Sequence, residues 1–283
     1  VQATAEQWQT AEGTRVSFIA AQGRPMIDLV LRFRAGSMLD GDTPGLAALA
    51  LYSLDQGTEH LDAAQFAQRL AGLGATLSRK ISEDSTSIAL RCLSMPTLRA
   101  QAIGLLTQMV ARPALREAEV AKIRERIAFN QARQSRHPIL RMANATMSHV
   151  FHGHPYAAPP AARPADDLGA EQVRAFHQKA YSANNLDIGL VGDVSRAEAE
   201  QLVNMLVQAL PQQWAAQTPP APADPLPLLQ HLDFAGNATQ AMLTIAARVA
   251  PKAPPYPALV LLPAILGGRY EAPPTPELPP PRP

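Results

Sequence analysis

Cysteine is nearly missing from this sequence. The one thiol, Cys92, excludes an internal disulfide framework and any structural zinc site built on cysteines. It sits in the apolar run Ile88-Ala-Leu-Arg-Cys-Leu and reads as a small core residue rather than a reactive thiol. Charge of one sign is also lacking, with 25 Lys+Arg against 24 Asp+Glu, a formal net charge of +1 and both signs interspersed. A chain that grips nucleic acid by neutralising phosphates normally shows a basic patch, so no nucleic-acid partner is expected. No apolar run reaches the eighteen or so residues of a membrane-spanning helix, and no membrane span is expected. A basic segment followed by an apolar one is absent from the start, which is Val1, as a trimmed chain or a processed secretory protein would read.

Common catalytic signatures are missing too. There is no Gly-x-Ser-x-Gly elbow, and Ser37 after Gly36 has no His–Asp pair placed by any signal. Gly72-Leu-Gly74 ends a helical pattern instead of opening one, so it is not a phosphate loop. Met142 and Met147 suit core packing better than a binding stripe.

What is present is a long, apolar-rich chain: 283 residues, 47% hydrophobic and 17% charged, enough for one large or two modest domains. Its 27 prolines cluster at joints. Residues 216–228 read as an extended linker, since proline lacks an N–H and fixes φ. Residues 269–283 hold seven prolines and are expected to be disordered or polyproline-like.

Before the linker, apolar periodicity switches between 2 and 3.6. Strands are expected at Thr14–Ala21 and Met26–Ala35, then a helix capped by Thr43, with Pro44 in its first turn, running to near Gly57. Ala63–Leu73 is a second helix, and Ala75–Arg79 with Thr86–Leu93 a strand pair. Helices follow at 96–111, 116–135 and 138–151, then a Pro/Ala-rich loop His152–Asp167, a helix Gly169–Ala180, a buried strand Leu186–Gly192 and a helix Ser195–Leu210 capped by Ser195. The expected class is α+β: two layers, one sheet with helices on one face, over residues 1–215. Beyond the linker, Gln230–Val249 offers strand material and Tyr256–Leu266 a helix. Residues 229–268 are marginal for an independent core, so they are expected to be an incomplete second repeat.

The order of these pieces resembles the pitrilysin-like (M16, mitochondrial-processing-peptidase-like) zinc metallopeptidases. Arg34-Ala-Gly-Ser-Met-Leu-Asp resembles the strand end before the family's first helix, and Gly45-Leu-Ala through Asp55-Gln-Gly-Thr58 the helix that bears its metal motif. Leu73-Gly-Ala-Thr with Glu83-Asp-Ser-Thr resembles the next strand pair, and Gly153-His-Pro-Tyr156 and Val191-Gly-Asp193 the closing loop and strand. Leu266-Gly-Gly268 resembles the start of the glycine-containing region of the second repeat. The likeness spans most of residues 8–268, and its specificity lies in the order and spacing of pieces that are individually weak. Gln7-Trp-Gln-Thr resembles exported bacterial members, which implies a periplasmic or otherwise exported soluble protein.

The resemblance breaks at its chemical centre. Catalytic members carry His-x-x-Glu-His, two imidazoles one helical turn apart with a Glu to deprotonate zinc-bound water. In register, those positions are Ala48, Leu51 and Tyr52. None is a normal zinc ligand or a base of this kind, so no catalytic and no metal residue is assigned. The third ligand of active members is a Glu on a later helix, where this chain offers Glu117, Glu119 and Glu125 as solvated charges. His149, His152 and His154 are the nearest alternative metal cluster, weighed against a helix C-terminus and a structural loop. His60, His137, His177 and His231 are unpaired, with His177 expected to face out of its helix.

The resemblance therefore implies a non-catalytic subunit or homologue that binds extended peptide and pairs with a catalytic subunit carrying the intact motif, zinc being required only in that partner. Its rivals are an active zinc endopeptidase with atypical ligands and a standalone peptide-binding scaffold. The implied peptide site is the strand around Thr76, Leu77, Ser78 and Arg79, either a free edge or an ordinary interior strand. In some two-subunit members an Arg/Tyr pair of the second repeat reaches substrate; Arg269-Tyr270 lacks that context and is not given the role.

Overall fold

The computed structural model describes residues 4–212, 214, 221–223, 254 and 256–258. One six-stranded sheet organises them, in the order β1-β2-β6-β3-β5-β4. The strands are β1 (Glu6–Gln9), β2 (Arg15–Ala20), β3 (Met26–Phe33), β4 (Thr76–Ile81), β5 (Thr86–Leu93) and β6 (Leu186–Gly192). Only β2 and β6 run parallel; every other neighbouring pair is antiparallel. Seven α-helices are described: α1 (Leu46–Ser53), α2 (Ala63–Gly72), α3 (Pro96–Ala111), α4 (Glu117–Gln134), α5 (Pro138–Val150), α6 (Ala170–Ala180) and α7 (Arg196–Ala209).

Alternation assigns the two faces of the sheet. Ile27, Leu29, Leu31 and Phe33 of β3, Ile88, Leu90 and Cys92 of β5, and Leu186, Ile188 and Leu190 of β6 all point into the core beneath the helices. The opposite face carries exposed ion pairs across neighbouring strands, Arg15–Asp187 at 2.7 Å and Arg91–Asp28 at 2.6 Å. One covered face and one wetted face is the α+β layering that the patterning predicts. Burial pushes the Cys92 thiol up to about 11, as befits a core residue.

Several boundaries differ from expectation for local reasons. β1 is a strand that the patterning does not indicate. It is held by Trp8, whose ring meets Phe18 edge-on at 6.3 Å and lies 3.5 Å beneath the Arg196 guanidinium. Thr43 does not cap α1, because its hydroxyl donates to the Asp40 carbonyl. Asp40 itself takes the capping role, accepting the Gly45 and Ala47 N–H groups at 2.8 Å each. Gly45 stands at φ +81 with room for a Cβ denied by the Ala162 carbonyl, so α1 begins at Leu46, beyond Pro44. The helix then stops at Ser53, short of Gly57. Ser195 does cap α7, through a capping box with Glu198.

The chain divides into two units, Val1–Gln240 and Ala241–Pro283. Of the second, Pro254 and Tyr256–Ala258 are described, and the latter three residues are helical. The expected strand Gln230–Val249, the rest of the helix to Leu266, Leu266-Gly-Gly268, His231, Arg269-Tyr270 and the tail 269–283 lie outside the described residues, as does most of the linker 216–228.

Candidate functional site

The helix that resembles the metal-bearing one is α1, eight residues of almost unbroken apolar sequence, Leu-Ala-Ala-Leu-Ala-Leu-Tyr-Ser. A helix apolar all round must be buried all round, and Ala48 and Leu51 are fully buried within the core. Tyr52 is half-buried and packs against that core. The three motif positions are therefore structural. A methyl and an isobutyl group offer no lone pair to a metal.

The Tyr52 ring is occupied from the other side. Arg79 of β4 places its guanidinium carbon 5.4 Å from the ring centroid and donates Nη1–H to the Tyr52 carbonyl at 3.2 Å and to the Asp55 carboxylate. Both members of this ion pair are about four-fifths buried. A cation thus sits, neutralised by Asp55, beside the helix position where catalytic relatives hold an imidazole. Neither the ligand chemistry nor the local charge fits a bound zinc ion, and no catalytic step is derived through one.

The helix expected to supply a third ligand packs against α1, and its buried residues are Val120, Ile123 and Ile127. Glu117 turns instead to α6, where it accepts the Ala170 N–H at 2.8 Å. Glu119 pairs with Lys122 at 2.8 Å, and Glu125 is exposed. The histidine trio does not converge either. His154 is buried, its Nδ1 accepts the Tyr156 N–H at 3.2 Å, and its ring packs against Phe151 and Tyr156. His152 is exposed just beyond α5. Among the described residues no group of three His, Cys, Asp or Glu could hold a metal ion.

His60 is exposed beside Glu59 and His137 precedes α5, as expected. His177 corrects its reading: it faces inward, donates Nε2–H to the Val110 carbonyl at 2.6 Å and stacks on Tyr181 at 5.3 Å. Burial lowers its pKa, so it is held neutral. The helical periodicity of α6, with Val173, Phe176 and Ala180 buried, carried the signal that position 177 borders the same face.

The strand pair brings the second half of the site. β4 pairs with β5 from Thr76↔Arg91 to Ile81↔Thr86 and is the last strand of the sheet among the described residues. Thr76, Ser78 and Lys80 are exposed; Leu77, Arg79 and Ile81 are half-buried on the helix side. Thr76, Leu77, Ser78 and Arg79 thus lie together on an edge, and Arg79 ties that edge to the end of α1. The sequence left this strand open between edge and interior, and it held no sign of Arg79's engagement with Asp55 and Tyr52, which depends on a crossing between segments 24 residues or more apart.

Residues 15–160 match the family model described as insulinase (peptidase family M16), and residues 167–274 match the one described as the peptidase M16 inactive domain. The structure of a peptidase M16 inactive domain from Pseudomonas fluorescens is similar, with a TM-score of 0.76 and 34% identity over 78% of this chain and 54% of that one. A protease from Helicobacter pylori shares the fold at a TM-score of 0.66 and 19% identity, over 78% of this chain and 54% of that chain. The first half of the periplasmic protease PqqL from Escherichia coli does so at 0.67 and 19%, over 76% and 48%. The chain spans about half the length of these proteins. No curated protein sequence matches it.

Proposed function

Because the chain belongs to the insulinase (peptidase M16) family, we propose that it is a non-catalytic member that binds an extended peptide along β4 and works beside a catalytic subunit carrying His-x-x-Glu-His. The observation that carries this reading is the pairing of an open edge with a chemically silent helix. Among the described residues Thr76–Ile81 pairs with β5 alone and ends the sheet, while the adjacent motif helix is filled by Ala48, Leu51 and an arginine-covered Tyr52. Strand addition draws on main-chain hydrogen bonds, which survive the loss of every metal ligand. Zinc then belongs to the partner. The inactive-domain likeness supports the non-catalytic part. Likeness to a periplasmic protease supports export, and no helix of the described residues is long and apolar enough to cross a membrane.

The test has two measurements. Metal analysis of the purified chain is expected to give no stoichiometric zinc, and a fluorescent extended peptide is expected to bind with β4 amides gaining protection from hydrogen exchange. Ser78→Pro removes an N–H and bends the edge, and it should abolish that protection. Near-equimolar zinc with chelator-sensitive peptide hydrolysis would establish the atypical-ligand enzyme instead.

A further inference from the structure

The interspersed charge of the whole chain conceals one segregated segment. Between Glu125 and Asp166 the sequence holds five arginines and four histidines, and not one Asp, Glu or Lys. The chain as a whole is only +1, so this stretch is where positive charge collects. It covers the second half of α4, all of α5 and the loop after it.

The same stretch is poorly covered. α5 has no buried residue, and its main contacts among the described elements are with the 3-10 turn Pro155–Ala157. A 13-residue helix containing Asn, Thr, Ser and Val is marginal in water on propensity alone and is ordinarily held by packing. Yet four large apolar side chains stand out to solvent here: Phe129 at 68%, Ile139 at 44%, Leu140 at 40% and Met147 at 37% exposed. Among the described residues Phe129 is the most exposed of the large hydrophobics. On α4 it lies between Arg126 and Arg133, three residues before and four after, so the three share one helix face, and both arginines are exposed.

From this juxtaposition we propose that the α4–α5 arm is a docking surface for an acidic, partly apolar protein face, with Phe129 as anchor and Arg126 and Arg133 as its charged flanks. Phe, Met and Arg are the residues enriched in interface centres, while Lys, Asp and Glu, depleted there, are the ones missing here. A second copy of this chain is disfavoured, because two such faces repel. An anionic bilayer would call for a continuous apolar face, and on α5 Leu140 and Met147 are separated by the exposed Asn144. Arg141 and His149 are engaged in contacts of their own, and the surface does not depend on them. The partner this arm would meet is the catalytic subunit of the proposed function, so its identity rests on that reading; its acidic chemistry does not.

Two probes separate them: a homologous chain from the same source that carries His-x-x-Glu-His, co-expressed with this one, and a Glu/Leu amphipathic helical peptide with its Lys/Leu counterpart. The variants are the pair Arg126→Glu/Arg133→Glu and, independently, Phe129→Ser, each checked by its melting curve. We expect a salt-sensitive complex with the homologue, and Glu/Leu peptide binding, each weakened about tenfold or more by either variant, with no binding of the Lys/Leu peptide. A complex indifferent to both variants overturns the docking surface and leaves the pairing intact. Arm-dependent binding of the Glu/Leu peptide without any complex overturns the pairing and upholds the surface. Absence of both overturns both. Preferential binding to phosphatidylglycerol vesicles or duplex DNA, or self-association lost on Phe129→Ser, assigns the arm another occupant and overturns the inference.

Discussion

The α1–β4 corner and the α4–α5 arm meet solvent in opposite ways. At the corner, each position that carries chemistry in active relatives is filled: Ala48 and Leu51 by core packing, Tyr52 by core on one side and a guanidinium on the other. On the arm, Phe129 faces water between the exposed Arg126 and Arg133 on α4, and α5 beside it has no buried residue. The first region looks inward and is specified by its own chain. The second buries little against the other described elements. Replacing the motif's side chains therefore need not loosen the helix that carried them.

The largest expected effect breaks the corner. Leu51→Glu buries a carboxylate with no counter-charge and should cost about 3–5 kcal/mol in denaturant-induced unfolding. Restoring the whole motif, with Ala48→His, Leu51→Glu and Tyr52→His, should give weak zinc binding by calorimetric titration. Adding Arg79→Ala removes the adjacent cation and should tighten it. Tight binding and vigorous peptidase activity in the triple variant would show that the corner was never rebuilt.

Next in size is the cap of the same helix. Burial pushes Asp40 up to about 6 against the pull of its two amide donors, from an ordinary 3.8. The folded chain then keeps a proton that the unfolded chain has released, so stability from this group is full below about pH 4 and declines as pH rises to about 6. Asp40→Asn should flatten that decline in a series of melting curves. Asp40→Ala should cost about 1–2 kcal/mol at every pH by orphaning the Gly45 and Ala47 amides. Glu198 runs the other way. The Ser195 amide, then Arg99, lower it to about 2, so its contribution is present above pH 4.5 and lost as pH falls.

Arg79→Ala alone is expected to cost about 1 kcal/mol, the worth of a partly buried ion pair with a cation–π contact. Smallest of all is the arm: Phe129→Ser should change stability by no more than about 0.5 kcal/mol, because little packing is lost. A cost near that of Leu51→Glu would mean that Phe129 serves the chain's own core and would erase the contrast.

Much of this was legible in advance. β5 and α3 fall on the expected residues, and the sheet with one covered face follows from period-2 alternation in β3, β5 and β6. Positions 48, 51 and 52 are assigned from the resemblance, by a spacing between Gly45 and Gly57-Thr58 that does not depend on their side chains. What escaped were relations between distant segments. Asp40 capping a helix five residues on, Arg79 reaching across to Asp55, and His177 turning to the Val110 carbonyl are all set by packing. The charge segregation of the arm was present in the sequence but disappears in a whole-chain sum.

The position of β6 carries a consequence for how this chain is made. It lies between β2 and β3, and the Arg15–Asp187 pair that marks its seam joins residues 172 apart. Until β6 leaves the ribosome, β1–β2 and β3–β5–β4 are two ribbons with no shared ladder and one apolar face each. At typical synthesis rates that interval lasts on the order of ten seconds, and β2 has no parallel partner throughout it. The nascent chain must therefore be sheltered, or held unfolded, for longer than a sheet built in sequence order would require. A fragment ending before Leu186 would lack the strand that makes the two ribbons one.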